Sequence, residues 1–171
     1  MKNRIALFLA TWFYSGLLPG AMAGTYASLL AVPFCYFTLV LAEVLSIFAY
    51  LAVVSLVFLL GLWSIPRAEA VLGPRINRKR EAKKRDQNQI VIDEALGMLV
   101  SCFPMALFRP QSLFWGFLLA FLLFRFFDIL KVPPINLFDR MENALGVMLD
   151  DFLAGVYAAL FLFLLISVAG L

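Results

Sequence analysis

From Val44 to Trp63 the chain runs twenty residues without a charge, and that stretch confines it to a bilayer. An apolar helix of about 20 residues is what crosses the ~30 Å hydrocarbon core. Inside the core no water can satisfy stray N–H and C=O groups, so such a span closes its own hydrogen bonds as a helix. The rest of the chain has the same character: 64% of its 171 residues are hydrophobic and the mean hydropathy is +0.95, whereas a soluble domain is nearer half apolar. The expected fold class is all-α, a polytopic membrane bundle forming one domain over 1–171, with about five transmembrane spans and an N-terminal interfacial or re-entrant helix.

Residues 5–18 are apolar but too short to cross, which predicts a helix lying at the interface or dipping into it. Met1-Lys2-Asn3-Arg4, the apolar run and Ala21-Met22-Ala23 imitate a cleavable leader, but Pro19-Gly20 breaks the pattern and the segment is kept as part of the fold. Spans are expected over 27–42 and 44–64, with Glu43 at the turn, then over 89–108, 111–128 and 146–171. Pro33 predicts a kink in the first. Arg109-Pro110 turns the chain, and Val132-Pro133-Pro134 stops the fourth span.

Between the second and third spans, residues 65–88 form a basic loop with seven Lys or Arg residues from Arg75 to Arg85. Nucleic acid is one conceivable partner for such a run. Spans on both sides make it a positive-inside signal instead, compatible with attraction to anionic headgroups, and no nucleic-acid partner is expected. Threading five spans with this loop in the cytoplasm puts thirteen of the fourteen bases at that face and leaves Arg109 outside.

The same threading gathers Asp93-Glu94, Asp128 and Asp150-Asp151 at one membrane face. An Asp at mid-bilayer costs about 2.5–3.5 kcal/mol on insertion scales and usually marks function. Neighbours on a helix point about 100° apart, so Asp150 and Asp151 face different partners. Gly146 and Gly155, four residues outside the pair, let helices approach closely. Crowded carboxylates cannot all stay ionised unaided. Protonation, pairing with Arg125 or Lys131, or a divalent cation would each relieve them. With oxygen ligands alone and no histidine in the chain, that cation would be magnesium or manganese rather than zinc, leaving Arg125 and Lys131 for phosphate oxygens. Cys35 and Cys102 lack metal-ligand spacing and read as packing residues. The plain alternative is an ion-paired cap that only anchors the helices.

Four blocks, in order, resemble the phosphatidylglycerophosphatase A family of bacterial inner-membrane lipid phosphatases. They are Leu9-Ala-Thr11 through Gly24-Thr25-Tyr-Ala-Ser28-Leu; Asp86-Gln-Asn-Gln-Ile-Val-Ile-Asp93-Glu94-Ala-Leu-Gly97; Phe124-Arg125-Phe-Phe-Asp128-Ile-Leu-Lys131-Val-Pro133; and Gly146-Val-Met148-Leu-Asp150-Asp151-Phe-Leu-Ala154-Gly155. Ala23, Ala27 and Val132 stand where the family usually has proline, glycine and proline. The resemblance implies magnesium-dependent hydrolysis of phosphatidylglycerophosphate to phosphatidylglycerol and phosphate, in the inner membrane with the site facing the cytoplasm.

On this reading Asp93, Glu94, Asp128, Asp150 and Asp151 are the catalytic and metal-binding set, with Asp86 in an outer metal role. Gly24, Thr25, Ser28, Arg125 and Lys131 would bind substrate. Glycine admits close backbone approach and a helix start offers free N–H groups to an anion, although an ordinary Thr/Ser helix cap is the rival account of that segment. Water attacks with a carboxylate as general base, or a carboxylate attacks and forms an aspartyl phosphate. Lacking histidine, the chain is no histidine-dependent lipid phosphatase. Cys102 and Arg109 are separated by six residues instead of the five a cysteine phosphatase needs, and the acids are adjacent instead of D-x-D. The alternative from another class is a small membrane cation carrier with a carboxylate site, which would need acids spread across the bilayer; a structural partner protein comes third.

Overall fold

Proline and glycine punctuate the helices of this chain. The computed structural model describes residues 2–18, 22–73, 75–76, 82–83, 89–141 and 143–169. Asp86, the Pro19-Gly20 break and most of the basic run lie outside the described residues. Helix α1 spans Lys2–Ala10, α2 Ala23–Val44, α3 Ile47–Leu72, α4 Ile92–Ser101, α5 Phe103–Leu107, α6 Leu113–Leu130, α7 Ile135–Asp139 and α8 Ala144–Ala169. The protein is the helical membrane bundle its composition demands, and α2, α3, α6 and α8 are each long and apolar enough to cross a bilayer. Within the basic loop, β1 (Arg75–Ile76) and β2 (Ala82–Lys83) pair antiparallel, with Arg75 opposite Lys83.

The third expected span is two short helices rather than one. Pro104 has no N–H to continue the ladder, and its ring crowds the turn before it. Cys102 closes α4 by sharing its N–H between the carbonyls of Met98 and Leu99, each at 3.2 Å. The Tyr50 hydroxyl on α3 donates to the Leu99 carbonyl at 2.7 Å, tying the break to the neighbouring span. Helix α4 is the centre of the bundle. Eight of its ten residues are buried, and it packs against α2, α3, α6 and α8. Helix α3 runs through Pro66 to Leu72, past the expected end at 64. There Arg67 donates to the Trp63 carbonyl at 2.6 Å and lies over the Trp63 ring, its stem along the apolar surface.

Helices α4 and α8 meet at two glycines. A Cβ on Gly155 would fall 2.6 Å from the Gly97 carbonyl oxygen, so only hydrogen fits. Helix α1 packs along α3 with Ala6 and Ala10 buried. It ends in Trp12, Phe13 and Tyr14, all left-handed at φ 44°, 60° and 66°, with the Thr11 hydroxyl accepting the Tyr14 N–H at 3.2 Å. The N–H of Val91, just before α4, donates to the Ala10 carbonyl at 2.9 Å, so the N-terminal segment is anchored beside the start of the central helix. At the opposite end, Glu43 and Arg109 form an exposed ion pair at 2.6 Å, joining the α2–α3 turn to the α5–α6 turn.

Candidate active site

The acids converge where the N-terminal turns of α2 and α4, the second turn of α8 and the C-terminal end of α6 come together. Asp93 and Glu94 occupy the first turn of α4, where the positive end of the helix dipole favours a carboxylate. Asp151 faces them from α8. One carboxylate oxygen from each of the three lies within 4.8 Å of the others. At that spacing each pair of charges repels by on the order of 3 kcal/mol at an effective dielectric of 20. Asp93 Oδ1 and Glu94 Oε2 are buried and accept no hydrogen bond.

Asp150 points elsewhere, as the step between adjacent helical residues requires. It accepts a hydrogen bond from Lys131 Nζ at 2.9 Å, and its second oxygen accepts the Asp151 N–H at 3.0 Å. Lys131 is the left-handed C-cap of α6 and also pairs with Asp139 of α7. Burial alone would pull the Lys131 ammonium below its usual range. The hydrogen bond to Asp139 and the charge of Asp150 outweigh that, so the group is held above its ordinary value. Asp128 Oδ2 lies 2.8 Å from Arg125 NH1 one turn away, an ion pair whose geometry falls short of a hydrogen bond.

Gly24 belongs to the same cluster. A Cβ there would collide with the Glu94 carboxylate and come within 3.3 Å of Arg125 NH1. Thr25 follows it, half-buried, in the first turn of α2, where the Tyr26 N–H donates to the Met22 carbonyl at 3.0 Å. Ser28 is buried and spends its hydroxyl proton on the Gly24 carbonyl at 2.8 Å. The structure thus brings Asp93, Glu94 and Asp151 into one group, sets the Asp150–Lys131 and Asp128–Arg125 pairs beside it, and adds Asp139, which sequence reasoning missed. Gly146 abuts Met141 and Phe138 of the preceding loop instead of another span. An apolar recess of about 500 Å³ lies farther along the bundle, among Leu51, Val54, Val100, Phe103, Phe152 and Phe163, and no charged residue lines it.

Two carboxylates with buried, unbonded oxygens, Asp93 and Glu94, and a third on Asp151 within reach of both suit a hard divalent cation, which takes oxygen donors, and the donor set contains no nitrogen or sulfur to favour zinc. The family model described as Phosphatidylglycerophosphatase A matches residues 8–166. The phosphatidylglycerophosphatase A of Haemophilus influenzae is 37% identical over 91% of this chain and 85% of its own length. That of Escherichia coli is 34% identical over 88% and 77%. A Bacteroides thetaiotaomicron protein provisionally named a phosphatidylinositol-3-phosphatase is 32% identical over 96% and 93%. No solved structure matches the chain.

Proposed function

The chain belongs to the phosphatidylglycerophosphatase A family and is a phosphatase of phosphate monoesters, and from that premise we propose that it hydrolyses phosphatidylglycerophosphate to phosphatidylglycerol and phosphate with the help of magnesium. The observation that carries this reading is the Asp93, Glu94 and Asp151 group, with unbonded oxygens on Asp93 and Glu94. Those three residues would hold the ion, which when bound offsets charge on the phosphoryl oxygens. Arg125, whose buried NH1 is ion-paired with Asp128 at 2.8 Å, and Lys131 grip the phosphate. The first turn of α2 is a helix start of the kind that presents N–H donors to an anion, and Gly24 lets that turn approach. Asp128 and Asp150, each paired with a base, orient those bases.

A water oxygen attacks phosphorus in line, its proton passes to a carboxylate of the cluster, and the phosphorus–oxygen bond to glycerol breaks as the glycerol oxygen takes a proton. The rival route has a carboxylate attack first. Single turnover in oxygen-18 water separates them: direct attack labels phosphate and leaves no acid-stable phosphoenzyme. Charge supports a cytoplasm-facing site in the bacterial inner membrane, because Arg67, Arg125, Lys131 and Arg140 lie at the acid end and Arg109 at the other. The test is phosphate release by the purified protein from phosphatidylglycerophosphate with magnesium and with a chelator, with phosphatidylinositol 3-phosphate as the competing substrate. Release that ignores the chelator sinks the metal; faster release from the inositol lipid sinks the substrate.

A further inference from the structure

Lys131 holds a backbone conformation that lysine does not favour, with φ 46° and ψ 52°, on a chain bend where glycine is the usual residue. Two carboxylates from different elements hold its side chain, Asp139 at the end of α7 and Asp150 on α8. An ammonium has three N–H donors and no acceptor. With two committed, one remains. A single partner would leave the four-carbon stem free to swing; two partners on separate elements fix its direction.

The loop that carries Asp139 is itself held. Ile135 is fully buried in a cluster with Phe124, Phe127 and Ala154. The Tyr157 hydroxyl on α8 donates to the Pro133 carbonyl at 3.0 Å. A Cβ on Gly146 would stand 2.7 Å from the Met141 carbonyl oxygen and 2.8 Å from that of Phe138, so the start of α8 lies directly on the loop backbone. Asp139 is therefore a carboxylate at a set place, and Lys131 reaches the acid cluster through Asp150, the neighbour of Asp151 on α8, at 2.9 Å.

We infer that Asp139 is a positioning residue: by engaging one donor of Lys131 it aims the remaining N–H at the phosphoryl group of the lipid substrate. The inference rests on the phosphatase reading above, which it deepens. If it holds, Asp139→Asn lowers kcat/KM on phosphatidylglycerophosphate by about tenfold to hundredfold, the range seen when a group that orients a ligand is lost. Most of that appears in KM, since Lys131 grips the phosphate before and during reaction. Asp139→Glu restores most of the loss.

A double-mutant cycle separates aim from loop stability. Lys131→Met abolishes the target of Asp139, so adding Asp139→Asn to it costs nothing further. A double variant that suffers both losses multiplied, or an Asp139→Asn enzyme with wild-type kcat/KM, overturns the inference. Binding of a non-hydrolysable phosphonate analogue of the substrate is measured in parallel, with Asp139→Asn expected to bind about tenfold more weakly and equal binding counting against it. A wild type that binds the phosphonate but releases no phosphate sinks the phosphatase reading and leaves the binding ratio to decide this one. Failure of the wild type to bind sinks both.

Discussion

An alanine at position 155 adds one methyl group at the seam between α4 and α8. Its Cβ would sit 2.6 Å from the Gly97 carbonyl oxygen and 2.9 Å from Val100 Cβ. Neither neighbour can turn aside, since one is main chain and the other is the branch point of a buried side chain. Ordinary contact begins at 3.4 Å, so the helices must part by about 0.8 Å. Asp93 and Glu94 ride on one side of that seam and Asp151 on the other, each about a turn from the glycines. Their oxygens separate with the helices. Overpacking of this kind costs about 1–3 kcal/mol of stability, and a displacement near 1 Å can cost about 100-fold in rate. Gly155→Ala should therefore lose one to two orders of magnitude of kcat/KM for phosphate release while remaining a folded, helical protein in detergent. Gly61→Ala is the control. Its new methyl meets the thioether of Met148, a flexible chain that can repack, and turnover should stay near wild type. Wild-type activity in Gly155→Ala, or equal losses at both positions, would refute the reasoning.

Asp93→Asn and Asp151→Asn each remove one charge while keeping the shape. Each should lower turnover by at least about tenfold and raise the magnesium concentration giving half-maximal rate; an unaltered magnesium dependence in both counts against the three-carboxylate site. Glu43→Gln breaks an exposed pair and should change stability by less than about 1 kcal/mol, read from thermal unfolding in detergent, with kcat unchanged. A single cysteine at position 109 should react with impermeant reagent from the periplasm and one at 140 only from the cytoplasm; the reverse pattern inverts the proposed orientation.

The long helices were legible because a charge-free run of bilayer length has one cheap way to bury its backbone. Their ends were less so. Pro66 sits inside α3 and Pro104 splits α4 from α5, yet both are prolines in apolar runs. What differs is where each falls: Pro66 lies in a long helix that continues past it, whereas at the break before Pro104 the Leu99 carbonyl is also met by Tyr50, forty-nine residues from Leu99. Local pattern does not encode that partner. The acids of the site were visible as charges where none is cheap, and Gly155 was visible by its spacing from Asp151. Asp139 was not, because an acid in a polar loop looks solvated; only the fold of 131–141 turns it onto Lys131. Ser28 lies in the same helix start as Thr25, its hydroxyl donating to the Gly24 carbonyl of its own helix.

The central helix is short and its neighbours are long. Helix α8 begins at Ala144, six residues before Asp150, so the carboxylates lie about 9 Å below its end at 1.5 Å per residue. Dissolved ions screen exposed charges over about 8 Å at physiological ionic strength, and recessed ones much less. Attraction between a phosphate and the groups of that recess is therefore largely beyond the reach of salt, and turnover should change little between low and high ionic strength.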